Sequence, residues 1–382
     1  MNKRLTSLLI LMVIMLPAMT QNDNVLNRIN EIGDEFAPDK RVVVYYVKLS
    51  ADEKALEGET SSHEAFRKIE ELTATGLKNN VRLLPDGVVG DKSYGVIYNS
   101  MGTIHRGAAY SSETITQTTM GTPVRVLDKK GGWCRIQTPD NYIGWINGSV
   151  KQMTQTQQEE YLSKPMVIVT SLFASSYMSA EKTSYEVSDL VVGNVLAVKG
   201  EEGDFINVLY ADGREAFVAK DDVEMVDSWN PEQTQEGIVA TSKRFAGIPY
   251  VWGGTTSKGL DCSGFTKTVY FMHNIILPRD ASQQVFTGEL VDEEGDFSKI
   301  EPGDLVFFGE KPTAERDTER VVHVGVYIGN NHFIHASDYI RVNSFNPDDA
   351  LYDKFNTGRY LRTKRILGDK NLKSVRSLYC EL

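Results

Sequence analysis

The chain has 382 residues, 41% of them hydrophobic and 24% charged, enough for roughly two to four globular domains. A formal net charge of -11 argues against nucleic acid as the main partner. Three cysteines, Cys134, Cys262 and Cys380, are an odd and sparse set for a disulfide-held fold, so at least one thiol is expected to stay free.

Residues 1–20 read as a secretory signal. Lys3 and Arg4 form a positive start, Leu8 to Leu16 is unbroken apolar sequence too short to span a bilayer, and Ala18-Met19-Thr20 offers a small-residue cleavage site. With no later segment long and apolar enough to be transmembrane, the expectation is an exported protein, periplasmic or extracellular, without an integral membrane segment after signal removal. Residues 21–80 mix strand and helix signals into a short α/β region of unknown role. Val42 to Leu49 (VVVYYVKL) predicts a strand, and Ser61 with Glu64 predicts a capping box opening a helix with Phe66, Ile69 and Thr73 on one face.

From about 96 to 228 the sequence repeats at an offset of 72. Val126 matches Val198, Gly131 matches Gly203, Trp133 matches Phe205, Ile136 matches Val208, Asp140 matches Asp212, and Trp145 matches Phe217. Short alternating strands broken by turns such as Lys130-Gly131-Gly132 predict two small β-barrels, over 81–153 and 164–228. Cys134 lies inside one such strand as a small apolar residue, and Cys380 carries no reactive context.

A polar stretch around Pro231 marks the last boundary, and 234–382 reads as an α+β domain. A helix over about 234–246 comes first, then the Gly-rich link GIPYVWGG, a helix beginning at Cys262, and the strands GDLVFFG, HVGVYIG and HFIHAS. Phe265, Val269 and Met272 give the second helix an apolar face. Cys262 sits where a turn becomes a helix, so the unpaired N–H groups and dipole are expected to stabilise a thiolate and to serve an oxyanion. His323 alternates with apolar residues along its strand, on a face set apart from the apolar one, and Gly325 leaves room beside it. His335, one connection downstream, is placed to orient His323. A Cys followed by two such histidines is the pattern for nucleophilic catalysis by a thiol. His332 and His335 fall on opposite faces of a strand, so no metal site is expected; His63, His105 and His273 read as surface or packing residues.

Five strings, PYVWGG, DCSGF, PRDASQQ, EPGDLVFF and HVGVYIG, resemble the NlpC-type cell-wall peptidases, papain-like hydrolases of bacterial peptidoglycan. The resemblance covers about 234–367. It implies Cys262 as nucleophile, His323 as general base, His335 as the orienting third residue, and no cofactor. Two bacterial SH3-like domains ahead of such a domain resemble the γ-D-glutamyl-L-diamino acid endopeptidases, also called dipeptidyl-peptidase VI and similar to the YkfC type. These cut free stem peptides, L-Ala-γ-D-Glu-diamino acid, at the γ-D-Glu bond and require the free amine of L-Ala. The subgroup implies that Glu113 (in SSETITQ), Tyr142 (in PDNYIGW) and Asp280 read the amine. Tyr250 and Trp252 would line the cleft, and Asp261 and Ser263 would flank the nucleophile. The alternative keeps the peptidase but makes it a lytic endopeptidase or amidase anchored to intact wall by the SH3-like domains. The segment Glu310 to Arg320 is longer than the family usually carries, either a lid or a surface loop.

Overall fold

The computed structural model describes residues 21–379, so the signal reading of residues 1–20 and the reading of Cys380 lie outside the described residues. The chain divides into two compact units, Met1–Leu84 and Pro85–Leu382.

In the first unit, α1 (Gln21–Phe36), β1 (Tyr45–Leu49), β2 (Ala55–Thr60), α2 (His63–Leu72) and β3 (Lys78–Leu83) follow one another. β1 pairs antiparallel and β3 parallel with β2. Val25, Ile29 and Ile32 of α1 and Ala65 and Ile69 of α2 pack on Tyr45, Leu56 and Val81 of the sheet. Two local expectations change. The strand starts at Tyr45 rather than Val42, because the N–H groups of Val42 and Val43 both donate to Asp39 O at 3.1 and 3.2 Å and close a turn. The helix cap is Ser62, whose Oγ accepts from Ala65 N at 3.1 Å, while Ser61 Oγ accepts from Val44 N at 2.9 Å, so the Ser61–Glu64 box does not form. Ala65 and Ile69 are the buried residues of that helix, and Thr73 lies beyond its end.

The second unit opens with β4 (Tyr94–Ile97), β5 (Met101–His105), β6 (Thr114–Thr119), β7 (Pro123–Lys130), β8 (Trp133–Gln137), β9 (Ile143–Asn147) and β10 (Val150–Met153). After α3 (Gln155–Leu162) come β11 (Met166–Val169), β12 (Phe173–Tyr177), β13 (Glu186–Val191), β14 (Val195–Glu202), β15 (Phe205–Leu209), β16 (Glu215–Ala219) and β17 (Val223–Met225). The two seven-stranded sheets have the orders β10-β4-β7-β8-β9-β5-β6 and β17-β11-β14-β15-β16-β12-β13, which are the same order strand for strand. Irregularities recur at the repeat offset too. β7 bulges between Val126 and Asp128 and β14 between Val198 and Gly200; the left-handed turns at Asn141 (φ 68°) and Gly213 (φ 97°) also correspond.

The remainder holds α4 (Gln235–Arg244), β18 (Thr255–Thr256), β19 (Gly259–Leu260), α5 (Cys262–Phe271) and α6 (Ala281–Gln284). These are followed by β20 (Glu289–Asp292), β21 (Leu305–Glu310), β22 (Arg320–Gly329), β23 (His332–Ser337), β24 (Tyr339–Ser344), α7 (Lys354–Thr357) and β25 (Tyr360–Arg365). Six of the strands form an antiparallel sheet, β20-β25-β21-β22-β23-β24. Phe265, Val269 and Met272 of α5 are buried with Leu305, Phe307, Val324, Val326 and Ile334 of the sheet. Truncating a fully buried aromatic such as Phe265 costs about 3–5 kcal/mol. The opposite face is also apolar, with Phe308, Tyr327, Phe333, Phe345 and Tyr360. The His323 face is therefore not set apart from apolar surroundings, since the sheet is covered on both sides. The charged segment before β22 is a surface hairpin, held by Arg316–Glu310 at 2.6 Å and Arg362–Glu319 at 2.5 Å. Among the described residues no helix is long and apolar enough to cross a membrane.

Candidate active site

Cys262 is the first residue of α5. Asp261 caps the helix, its Oδ1 accepting from Gly264 N at 2.7 Å. The helix end lies close against the Gly-rich link: a Cβ on Gly264 would stand 1.9 Å from Gly254 O. The half-buried thiol faces the backbone N–H groups of Val324 and Ser263, which favour its thiolate. Burial and the Asp261 carboxylate oppose them and push the thiol up to about 12. The N–H groups at the helix start thus favour a thiolate, as the sequence suggested, but burial and Asp261 outweigh them. A helix dipole is worth about 0.3–1 kcal/mol, less than the roughly 1.36 kcal/mol that one pKa unit represents, and desolvation is the larger effect.

The two histidines meet. His323 Nε2 lies 2.7 Å from His335 Nδ1, and His335 Nε2 lies 2.8 Å from Asn343 Oδ1. In the register, β22 and β23 set His335 opposite Gly325, where a Cβ would stand 3.1 Å from His335 Cβ. The proton positions follow from the far end of this chain. Asn343 Nδ2 donates to Leu351 O at 3.1 Å, which turns Oδ1 toward His335. His335 therefore carries its proton on Nε2 and accepts at Nδ1; His323 donates from Nε2 and keeps a bare Nδ1. Burial, and for His323 the neighbouring His335, push both imidazoles below their ordinary value, His323 well below. Both shifts favour the neutral imidazole, and a neutral imidazole on the residue next to Val324, whose N–H the thiol faces, suits general-base activation.

The remaining candidates divide into two groups. Asp261 is saturated by the protein: Oδ1 also accepts from Ser263 Oγ at 3.3 Å and Arg279 Nη1 at 3.1 Å, and Oδ2 from Gly253 N at 3.0 Å and Arg279 Nη2 at 2.5 Å. Ser263 Oγ is committed likewise, accepting from Arg279 Nη1 at 2.9 Å. These two residues shape the flank of Cys262. Tyr250 lies close enough to Cys262 and Asp261 that burial and their charges raise its phenol above the ordinary range. The second group joins the first repeat to this domain. Tyr142, on the β8–β9 turn and 6% exposed, donates to Asp280 Oδ2 at 3.0 Å. Trp252, 63% exposed, donates from Nε1 to Glu113 Oε1 at 3.2 Å, and Arg106 at 2.8 Å from Oε2 holds the Glu113 carboxyl below its usual range.

Two residues at this site escaped the sequence reading. Arg279, 2% exposed, joins Asp261 and Ser263 to Thr116 Oγ1 of β6, its Nε donating at 2.6 Å. Burial works against its charge, and Asp261, Asp280 and Tyr142 outweigh that effect. The only signal was its place in PRDASQQ beside Asp280. Asn343 carried none, because a polar residue on an outer strand looks like any solvated one. Of the other histidines, His105 and His273 are buried, with His273 Nε2 2.8 Å from Thr241 Oγ1. Cys134 is half-buried in β8, where burial raises its thiol.

The chain is similar to known proteins. Residues 247–361 match the NlpC/P60 family and residues 102–151 the bacterial SH3 domain. The chain is 36% identical over 234 residues to a gamma-D-glutamyl-L-lysine dipeptidyl-peptidase of Bacillus cereus, covering 58% of this chain and 66% of the relative. It is 29% identical over 232 residues to the enzyme of that name in Bacillus subtilis, covering 58% of this chain and 71% of the relative. A crystal structure of an NlpC/P60 family protein from Bacillus cereus superposes with a TM-score of 0.61 at 26% identity, covering 72% of this chain and all of that one. With the thiol at a helix start, the two facing histidines and these matches, the chain carries a cysteine peptidase domain of the NlpC/P60 family over residues 247–361 and a bacterial SH3 domain over residues 102–151.

Proposed function

We propose that the protein is an exported γ-D-glutamyl-L-diamino acid endopeptidase that hydrolyses free peptidoglycan stem peptides bearing an N-terminal L-Ala. The names of the two Bacillus relatives support the bond and the substrate class. The observation that carries the reading is the pair of hydrogen bonds between the first repeat and the catalytic domain, Tyr142 to Asp280 and Trp252 to Glu113. On this reading the two carboxylates and the phenol are the acceptor set that an ammonium needs when it leaves water. The second repeat, with the same strand order, is proposed to be a second SH3-like domain.

In this mechanism His323 Nδ1 takes the Cys262 proton as the sulfur attacks the γ-carbonyl of D-Glu. The N–H groups at the start of α5 receive the oxyanion. Collapse breaks the C–N bond, the His323 proton goes to the leaving amine, and water then hydrolyses the thioester by the same base. Tyr250 and Trp252 line the acyl side, Asp261 and Ser263 fix the flank of the nucleophile, and His335 orients His323.

The test is cleavage of L-Ala-γ-D-Glu-L-Lys and its N-acetylated twin, followed by mass spectrometry, with Cys262→Ala as control. Cleavage confined to the free-amine peptide and lost in the variant is the expected result. Equal cleavage of both peptides would overturn amine recognition in favour of a lytic enzyme acting on intact wall.

A further inference from the structure

Arg359 stands out as a cation beside the candidate nucleophile that the mechanism above does not use. It precedes β25, and the register brings it near the site: Phe308 of β21 pairs with His323 on one side and with Tyr360 on the other. Arg359 interacts electrostatically with Asp353 first and then with Cys262, and it in turn acts on both His323 and His335. None of the amine-end residues Glu113, Tyr142 or Asp280 is among the groups that act on it.

Its guanidinium is built into place. Nε and Nη2 both donate to Asn356 Oδ1, at 3.0 and 2.7 Å, and Asn356 is itself held by Asp353 Oδ2 at 2.5 Å. The Arg359 Cζ lies 4.3 Å from the ring centroid of Phe355, which is 70% exposed and forms a shelf beneath it. One edge and one face are thus occupied, and Nη1 is left open. The half-buried arginines of the same strand, Arg362 and Arg365, are paired with Glu319 and with Asp304 and Glu301. Arg359 forms no ion pair with any described residue. A fixed, partly desolvated guanidinium, held by an amide in front of Asp353 and within electrostatic reach of Cys262, is suited to a carboxylate that arrives with the ligand.

We propose that Arg359 reads a substrate carboxylate next to the reacting carbonyl. Under the function proposed above, on which this assignment of substrate rests, two carboxylates qualify: the α-carboxylate of D-Glu on the acyl side, and that of the diamino acid on the leaving side.

The first test is independent of the peptide. Cys262 is alkylated with iodoacetate and with iodoacetamide, which differ in carboxylate against amide, and the modified cysteine is resolved from Cys134 by peptide mapping. Wild type should favour iodoacetate over iodoacetamide about tenfold more than Arg359→Gln does, and Arg359→Lys should retain part of the preference. An unchanged ratio, or equal slowing with both reagents, overturns the proposal, the latter by assigning the charge to the thiolate alone.

The second test compares L-Ala-γ-D-Glu-L-Lys with its D-isoglutamine analogue and its C-terminal amide. Wild type should lose activity on one amidated peptide, and Arg359→Gln should show no such discrimination. Indifference of wild type to both amidations overturns the substrate reading. Failure of wild type to cleave any peptide would instead sink the proposed activity, while alkylation still decides what Arg359 binds.

Discussion

The two repeats have one architecture and two employments. Strand order, bulge position and the left-handed turns at Asn141 and Gly213 coincide at the 72-residue offset. The loops do not. Glu113 and Tyr142 of the first repeat reach Trp252 and Asp280, whereas their counterparts are Tyr185, 83% exposed, and Arg214. Arg214 pairs with Asp212 in its own turn and donates to Tyr98 O of the first repeat at 3.0 Å. The comparison separates what holds a small sheet together, which both copies keep, from the loop residues that reach Trp252 and Asp280, which only the first copy carries. Sequence at loop tips is free to change because the strands carry the packing.

Breaking the tie between the first repeat and α5 should have the largest effect. Arg279→Met removes the buried partner of Asp261 and should cost about 3–5 kcal/mol in urea unfolding. Lys258→Ala, which breaks a more exposed pair with Asp189 of the second repeat, should cost less than about 1 kcal/mol. Loss of stability of the same size in both would erase the asymmetry.

The next contrast is Asp140 with Asp212. Burial draws the Asp140 carboxyl up, but Lys267 at 2.8 Å and Thr138 hold it below its ordinary value. A carboxylate depressed on folding adds stability that is present above its unfolded pKa, about 3.9, and is lost as pH falls through the lower folded value. Asp140→Asn should therefore lower the melting temperature at pH 7 and flatten its decline in acid. Asp212→Asn, at a partly exposed pair, should change the melting temperature by no more than about 4 °C.

Smaller effects should appear in catalysis. Tyr142→Phe removes one hydrogen bond at the proposed amine end and should raise KM for the free-amine tripeptide about fivefold, with kcat within about twofold. Arg214→Ala should leave KM unchanged. Glu113→Gln, at a half-exposed carboxylate, should raise KM about threefold, and its counterpart Tyr185→Ser should have no kinetic effect. A KM response to either second-repeat variant would show that both copies touch substrate.

Much of the site was legible before folding because its residues sit in local patterns. Cys262 follows a helix-capping Asp261, His323 and His335 lie in apolar strands, and Gly325 leaves room beside His335. The repeat was legible as well, since its period survives in core positions. The Ser61 capping box failed because Ser61 and Ser62 are equally able to cap, and Val44 N claimed Ser61 Oγ. What opposes the thiolate at Cys262 was not legible for a different reason: a helix start can be read locally, but burial and the side from which Asp261 approaches cannot.

The sequence by itself determined the strand periods, the helix start at Cys262 and the identity of the thiol and imidazoles, because each depends on neighbours a few residues away. Only the tertiary structure decided which proton each histidine carries, that Arg279 is buried between two domains, and that Asn343 ends the chain of imidazoles. Those are matters of contacts between residues far apart in the chain, and a sequence read in windows gives such pairs no common term.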